Sequence, residues 1–255
     1  MMTMTALLGA IELGTIYAIL ALGVFISFRT LNMPDLTVDG SIVTGMATSA
    51  VICAAGGNPY IALVGAFIAG GCAGLLTGFL HTKLKIQAIL AGILVMLASY
   101  SINLRIMGKT PNIPLTKSDT IYKMADQILP PKYSGIILGL IILVAIITLL
   151  YMFLQTRIGF VFRATGDNED MVRAAGVSGD TMKLLGLGLS NGLVGLAGGM
   201  LAQNQAFADI NSGTGMMVIG LASVILGEVV FGTKSFIATL MGSWVMMGMK
   251  ELRIT

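Results

Sequence analysis

The feature that most constrains this chain is a succession of apolar runs, each close to the length of a membrane-crossing helix. Residues 6–28 carry one charged side chain, Glu12, and residues 59–80 and 134–154 carry none. A helix needs about 20 apolar residues to cross a bilayer core. A segment that is apolar on every side offers no wetted face to a soluble fold. Similar runs recur at 39–55, 86–107, 181–204, 215–231 and 236–250. The pattern predicts an all-α polytopic membrane protein of about eight spanning helices, forming one domain over residues 1–255.

Composition supports this reading. Hydrophobic residues make up 56% of the chain and charged residues 11%, whereas a soluble domain carries about 25% charged residues. Glycine is abundant, at 33 of 255 residues. In a bilayer, small residues four apart let helix backbones meet. Gly70, Gly74 and Gly78, with the pairs Gly188/Gly192 and Gly195/Gly199, have that spacing. The net charge of +3 is scattered among loops, so no basic stripe suits nucleic acid. Cys53 and Cys72 lie in apolar stretches and read as buried hydrophobes, and the single histidine, His81, excludes a histidine-based metal centre. No Lys or Arg precedes the first run, which is also too long for a signal-peptide core, so it is expected to be a retained span.

Two polar connections interrupt the pattern, at 108–133 and 155–180, and eight spans place them on opposite sides of the membrane. Basic residues divide almost evenly between the sides, but those on one side gather around the long 108–133 loop. Because short loops weigh most in setting orientation, the 155–180 loop is expected in the cytoplasm and the N-terminus outside.

The 155–180 loop is the most informative segment. It begins polar, and Asn168 to Ala175 then suits a short amphipathic helix. Asp167 or Asn168 can cap it, Glu169 and Asp170 favour its first turn, and Gly176 favours its stop. Such a helix can dock on a cytosolic partner or rest on lipid headgroups.

Charges inside apolar segments are costly and invite a role. Glu12 and Glu228 are expected to hold buried structural or gating hydrogen bonds. Asp35 and Asp39 flank the break after the first helix, beside Asn32 and Pro34, and can cap the helix that follows, pair with Arg29 or line a polar path. Asn191 is expected to bond a neighbouring helix. Gln203, Asn204, Gln205, Asp209 and Asn211 form a solvated loop or an outer vestibule.

The segment Glu169-Asp-Met-Val-Arg-Ala-Ala-Gly176 resembles the coupling-helix motif of ABC importer permeases. Leu13-Gly-Thr-Ile-Tyr-Ala-Ile-Leu-Ala-Leu-Gly23, Asn32-Met-Pro-Asp-Leu-Thr-Val-Asp-Gly40 and Leu226-Gly-Glu-Val-Val-Phe-Gly232 are similar to segments of the branched-chain amino acid and ribose type of permease. Their wording lies nearest a subgroup linked with aromatic amino acid uptake. The resemblance implies a permease subunit in a prokaryotic cell membrane that forms the path for a small solute, plausibly an amino acid. It also implies a second permease subunit, an extracytoplasmic solute-binding protein, and cytosolic ATPases carrying ATP and Mg. ATPase coupling then falls to Asp167, Asn168, Glu169, Asp170, Arg173, Ala174, Ala175 and Gly176. Glu12, Asn32, Asp35, Asp39, Asn191 and Glu228 become candidates for the path or gate. That subgroup also implies a further hydrophobic segment after Thr255.

Gly227-Glu-Val-Val-Phe-Gly-Thr-Lys-Ser235 nearly spells a phosphate-binding loop, but Thr233 displaces the lysine and no strand precedes it. No ATP site, cofactor or catalytic constellation is therefore expected on this chain. An ion-coupled transporter using Glu12 and Glu228, and a membrane scaffold or intramembrane enzyme, are the competing readings.

Overall fold

The computed structural model describes residues 4–128, 130 and 133–231. Helix α1 (Met4–Val24) continues as a π-helical turn, Phe25–Thr30, and is followed by α2 (Val38–Ala54), α3 (Pro59–Thr82) and α4 (Ala88–Ile106). The next connection holds β1 (Asn112–Pro114) and α5 (Ile121–Ile128). Then come α6 (Ser134–Gln155), α7 (Arg157–Asp167), α8 (Glu169–Ala174), α9 (Gly179–Gln205), β2 (Phe207–Asp209) and α10 (Met216–Phe231). Five helical segments are long and apolar enough to cross a membrane: Leu8–Thr30, Pro59–Thr82, Ala88–Ile106, Ser134–Gln155 and Gly179–Gln205. Val38–Ala54 and Met216–Val229 are shorter apolar helices. Seven of the eight expected spans are thus present as helices, and the eighth, at 236–250, lies outside the described residues.

α9 stands at the centre, against α3, α2 and α1. Glycine makes this possible. A Cβ added to Gly195 would lie 2.9 Å from Gly70 Cα and 2.5 Å from the Ala66 carbonyl oxygen. On the other side of Gly195, a Cβ at Gly45 would run into the Gly195 backbone itself. Three helices therefore meet backbone to backbone at one level. The periphery is the reverse: Ile141, Leu149 and Met152 on α6 are 59–66% exposed, as a lipid-facing helix requires.

Both short strands lie at one end of the bundle. β1 pairs antiparallel with β2, with Ile113 opposite Ala208, so the 108–133 connection and the end of α9 share a face. Gln203 fixes them further. Its Oε1 accepts from the Ile121 amide at 2.9 Å, while its Nε2 donates to Ser49 Oγ at 3.0 Å and to the Pro59 carbonyl at 3.2 Å. This corrects the reading of Gln203 as part of a solvated loop, since it is 2% exposed. The 155–180 connection lies at the opposite end of the 27-residue α9.

After β2 the chain turns back into the bundle. Gly220 faces Leu20 and Val24, and Glu228 pairs with Arg29. α10 therefore runs beside the second half of α1 and begins well inside the span. The break after α1 is sharp: Asn32 has φ +53° and Pro34 follows.

The glycine contact makes a definite prediction. Gly195→Ala forces backbones apart and should cost about 1–3 kcal/mol, read as a lower melting temperature of the purified protein. Gly9, with no atom of the described residues within 4 Å of an added Cβ, should accept alanine without loss. Equal stability of the two variants would refute the backbone contact.

Candidate functional site

The end of the bundle opposite the β-ribbon is built from α7 and α8. Asn168 is extended, at φ −156° and ψ 99°, and its side chain accepts from the Met171 amide at 3.0 Å. Asn168 is therefore the cap of α8, and Asp167 is instead the last residue of α7. Gly176 at φ +82° ends the unit, a conformation that glycine adopts without strain. The stretch before Asn168, read from sequence as merely polar, is the helix α7. It buries Gly159, Phe162 and Thr165 on one side, a three-residue spacing that the sequence already carried.

α8 is fastened to the bundle by charge. Lys183 Nζ lies 2.5 Å from Glu169 Oε2, and Arg173 Nη2 lies 2.7 Å from Glu169 Oε1 and 3.3 Å from Asp180 Oδ1. Asp180 also reaches Lys85 at 3.6 Å. The Lys183 hydrogen bond, opposed by partial burial and helped by Arg173, holds the Glu169 carboxyl below its ordinary range. Val172 is the buried side chain of α8. Met171, Ala174 and Ala175 face outward, next to an α7 whose Phe160 is 68% exposed.

Inside the bundle the predicted polar residues fall into separate contacts. Glu12 accepts from Asn204 Nδ2 at 2.5 Å and fills the space where Gly135 lacks a side chain, joining α1, α6 and α9. Asp35 is 3% exposed and accepts from the Thr37 amide at 2.9 Å, at the start of α2, and from Asn191 Nδ2 at 2.5 Å. Asn191 thus bonds across to the break after α1. Thr37 and Thr77 share a 2.6 Å hydrogen bond beside it.

Asp39 departs from expectation. It lies in the first turn of α2, but its oxygens accept from the Gly215 and Met217 amides at 2.9 and 2.7 Å. It therefore caps α10, a helix 176 residues further along the chain. Arg29 pairs with Glu228 at 2.9 Å rather than with either aspartate. Asn32 lines a cavity of about 400 Å³ with Arg29, Arg163 and Asp167. Both cysteines are free; Cys53 is buried as expected, and Cys72 is exposed. Among the described residues, no three His, Cys, Asp or Glu side chains gather as a metal site would need.

Sequence reasoning missed Asn103. Ser99 and Asn103 lie four apart on α4 and are both buried, a spacing that puts them on one face.

Residues 6–255 match the family described as "Branched-chain amino acid transport system / permease component". The chain is similar to the tyrosine transport system permease protein of Clostridioides difficile, at 39% identity over 95% of this chain and 81% of the relative. It is 25% identical to the probable branched-chain amino acid transport permease protein LivH of Methanocaldococcus jannaschii, over 97% of this chain and 79% of the relative. Identity to the ribose import permease protein RbsC of Escherichia coli is also 25%, over 96% and 76%. No solved structure matches. The chain, a multi-pass helical membrane protein with a fastened surface helix between two of its spans, belongs to the branched-chain amino acid transport system permease family and is an ABC transporter permease component.

Proposed function

We propose that this chain forms the translocation path for an amino acid in a prokaryotic ABC importer, and that α8 is where a separate ATPase drives it. The observation that carries the reading is the pairing of an exposed apolar patch, Met171, Ala174 and Ala175, with the ionic attachment of α8 to α9. A helix that merely rested on lipid would need no rigid link to the central span.

In this mechanism the α8 face is cytoplasmic and the β-ribbon face receives solute from a binding protein. A second permease subunit, most simply another copy, completes the path. Closure of two ATPases on ATP and Mg pushes on α8. Glu169–Lys183 and Arg173–Asp180 pass the push to α9, which meets α2 and α3 backbone to backbone and so moves them as bodies. The tyrosine permease among the relatives favours an aromatic amino acid as cargo. Glu12 and Glu228 are engaged by Asn204 and Arg29, which leaves them as structural ties rather than ion-coupling sites.

Affinity purification from the native membrane tests the partner. An ATPase should copurify with wild type and be lost with Gly176→Trp, a substitution at the left-handed glycine that ends α8. Retention of the ATPase by the variant would remove α8 from the interface.

The ionic link makes a second prediction. In reconstituted vesicles, Lys183→Glu should lower the ratio of solute moved to ATP hydrolysed, and adding Glu169→Lys should restore it. Failure of the swap to restore the ratio would show that the charges act separately.

The link also sets a pH response. Because the folded-state pKa of Glu169 lies below its ordinary 4.5, the stabilisation is complete above that value and is lost as pH falls through the lowered one. Hydrogen exchange of α8 amides should therefore quicken only in that acid window. In Lys183→Met they should exchange faster already at neutral pH.

A further inference from the structure

Two helices of this protein start inside the membrane layer instead of at its edge. α2, of 17 residues, and α10, of 16, are each shorter than a full crossing. Their first turns meet at Asp39. The level is set by α4: a Cβ added to Gly40 would lie 3.1 Å from Met96 Cα and from Ser99 Cβ, near the middle of a helix running Ala88–Ile106. Where helices begin within a bilayer, their irregular backbone is tolerated only against protein or a water-filled cavity.

A cavity lies at this place. It has a volume of about 200 Å³ and is lined by Asp39, Met96, Leu97, Tyr100, Asn103 and Ile210, among others. Asn103 is 1% exposed, yet its Oδ1 has no hydrogen-bond partner among the described residues. Its Nδ2 donates to the Gly40 carbonyl at 3.5 Å. A carbonyl can only accept, so that contact fixes the amide orientation and leaves the oxygen as the unsatisfied atom. Leaving a buried acceptor unpaired is costly. An orphan beside a carboxylate at mid-membrane marks a place where a partner belongs.

The chemistry of the partner follows from the lining. Each Asp39 oxygen accepts one backbone N–H, and a carboxylate oxygen can accept more than one. Tyr100 and Thr214 contribute hydroxyls, and among the described residues no Lys, Arg or His lines the cavity. The fixed polar atoms are thus acceptors, one of them charged, set among apolar walls. We infer that this cavity is a solute subsite of the translocation path, taking a protonated amine carried on an apolar body. The ammonium lies between Asp39 and Asn103, and the apolar part lies against Met96, Leu97 and Ile210.

The inference rests on the reading of this chain as a permease. Its test uses the isolated chain in nanodiscs, so a missing ATPase partner leaves the result standing. Leu97→Cys, in a Cys72→Ser background that removes the exposed thiol, is labelled with a maleimide in the presence of phenethylamine or phenylacetate. These share a ring and differ in charge. Phenethylamine should slow labelling and phenylacetate should not. Asn103→Leu removes the unpaired oxygen and should weaken phenethylamine protection roughly tenfold, the loss expected for one hydrogen bond to a charged group. Asn103→Asp adds a charge and should strengthen it. Equal protection by the acid, no protection by either compound, or unchanged protection in Asn103→Leu would each overturn the inference.

Discussion

Everything in this structure depends on the backbone contact of α9 with α2 and α3. A bilayer gives helices no hydrophobic reason to associate, because lipid tails are as apolar as leucine. Close packing and a few internal hydrogen bonds must hold them instead. Gly195, facing Gly70 on α3 and Gly45 on α2, removes the side chains that would otherwise separate three helices. Once the backbones touch, Ser49 Oγ can reach the Gly199 carbonyl at 3.4 Å, and Ser190 Oγ the Gly23 carbonyl at 2.7 Å. The hydrogen bonds are made available by the packing, and they then fix its register.

The polar residues within the spans divide by what they join. Glu12, Asp35, Gln203 and Asn191 each connect elements far apart in sequence, and each bonds a partner near a place where the chain bends, begins or ends. Where no lipid-facing polar atom can be hydrated, a side-chain amide or carboxylate does the work that water does at the surface of a soluble protein. Asp39 shows this most plainly. It lies in α2 yet satisfies two backbone donors at the start of α10.

The spans were legible from sequence because length and apolarity suffice to define them. The run at 59–80 is Pro59–Thr82 in the structure, and that at 134–154 is Ser134–Gln155. The short surface helix was legible through its cap, acidic first turn and terminal glycine. Long-range pairing was not. For Asp39 the sequence offers the cap of the helix that follows, a pair with Arg29 or a polar path, since local spacing carries no information about Gly215. Three-residue strands are too short for alternation to show, so β1 and β2 were invisible. Arg157–Asp167 reads as polar because one side of it is wet, and only the spacing of Gly159, Phe162 and Thr165 betrayed a helix.

The small β-ribbon carries a mechanical consequence. β1 belongs to the connection that covers one face of the bundle, while β2 opens the segment that descends to Gly213, Asp39 and the start of α10. The surface cover and the segment that reaches Asp39 are therefore one continuous piece of hydrogen-bonded backbone. Strand pairing holds or breaks but stretches little, so a displacement of the cover is delivered to the foot of α10 almost undiminished. The cover is a pull-cord as much as a shield, and the two ends of the protein's interior are not free to move independently.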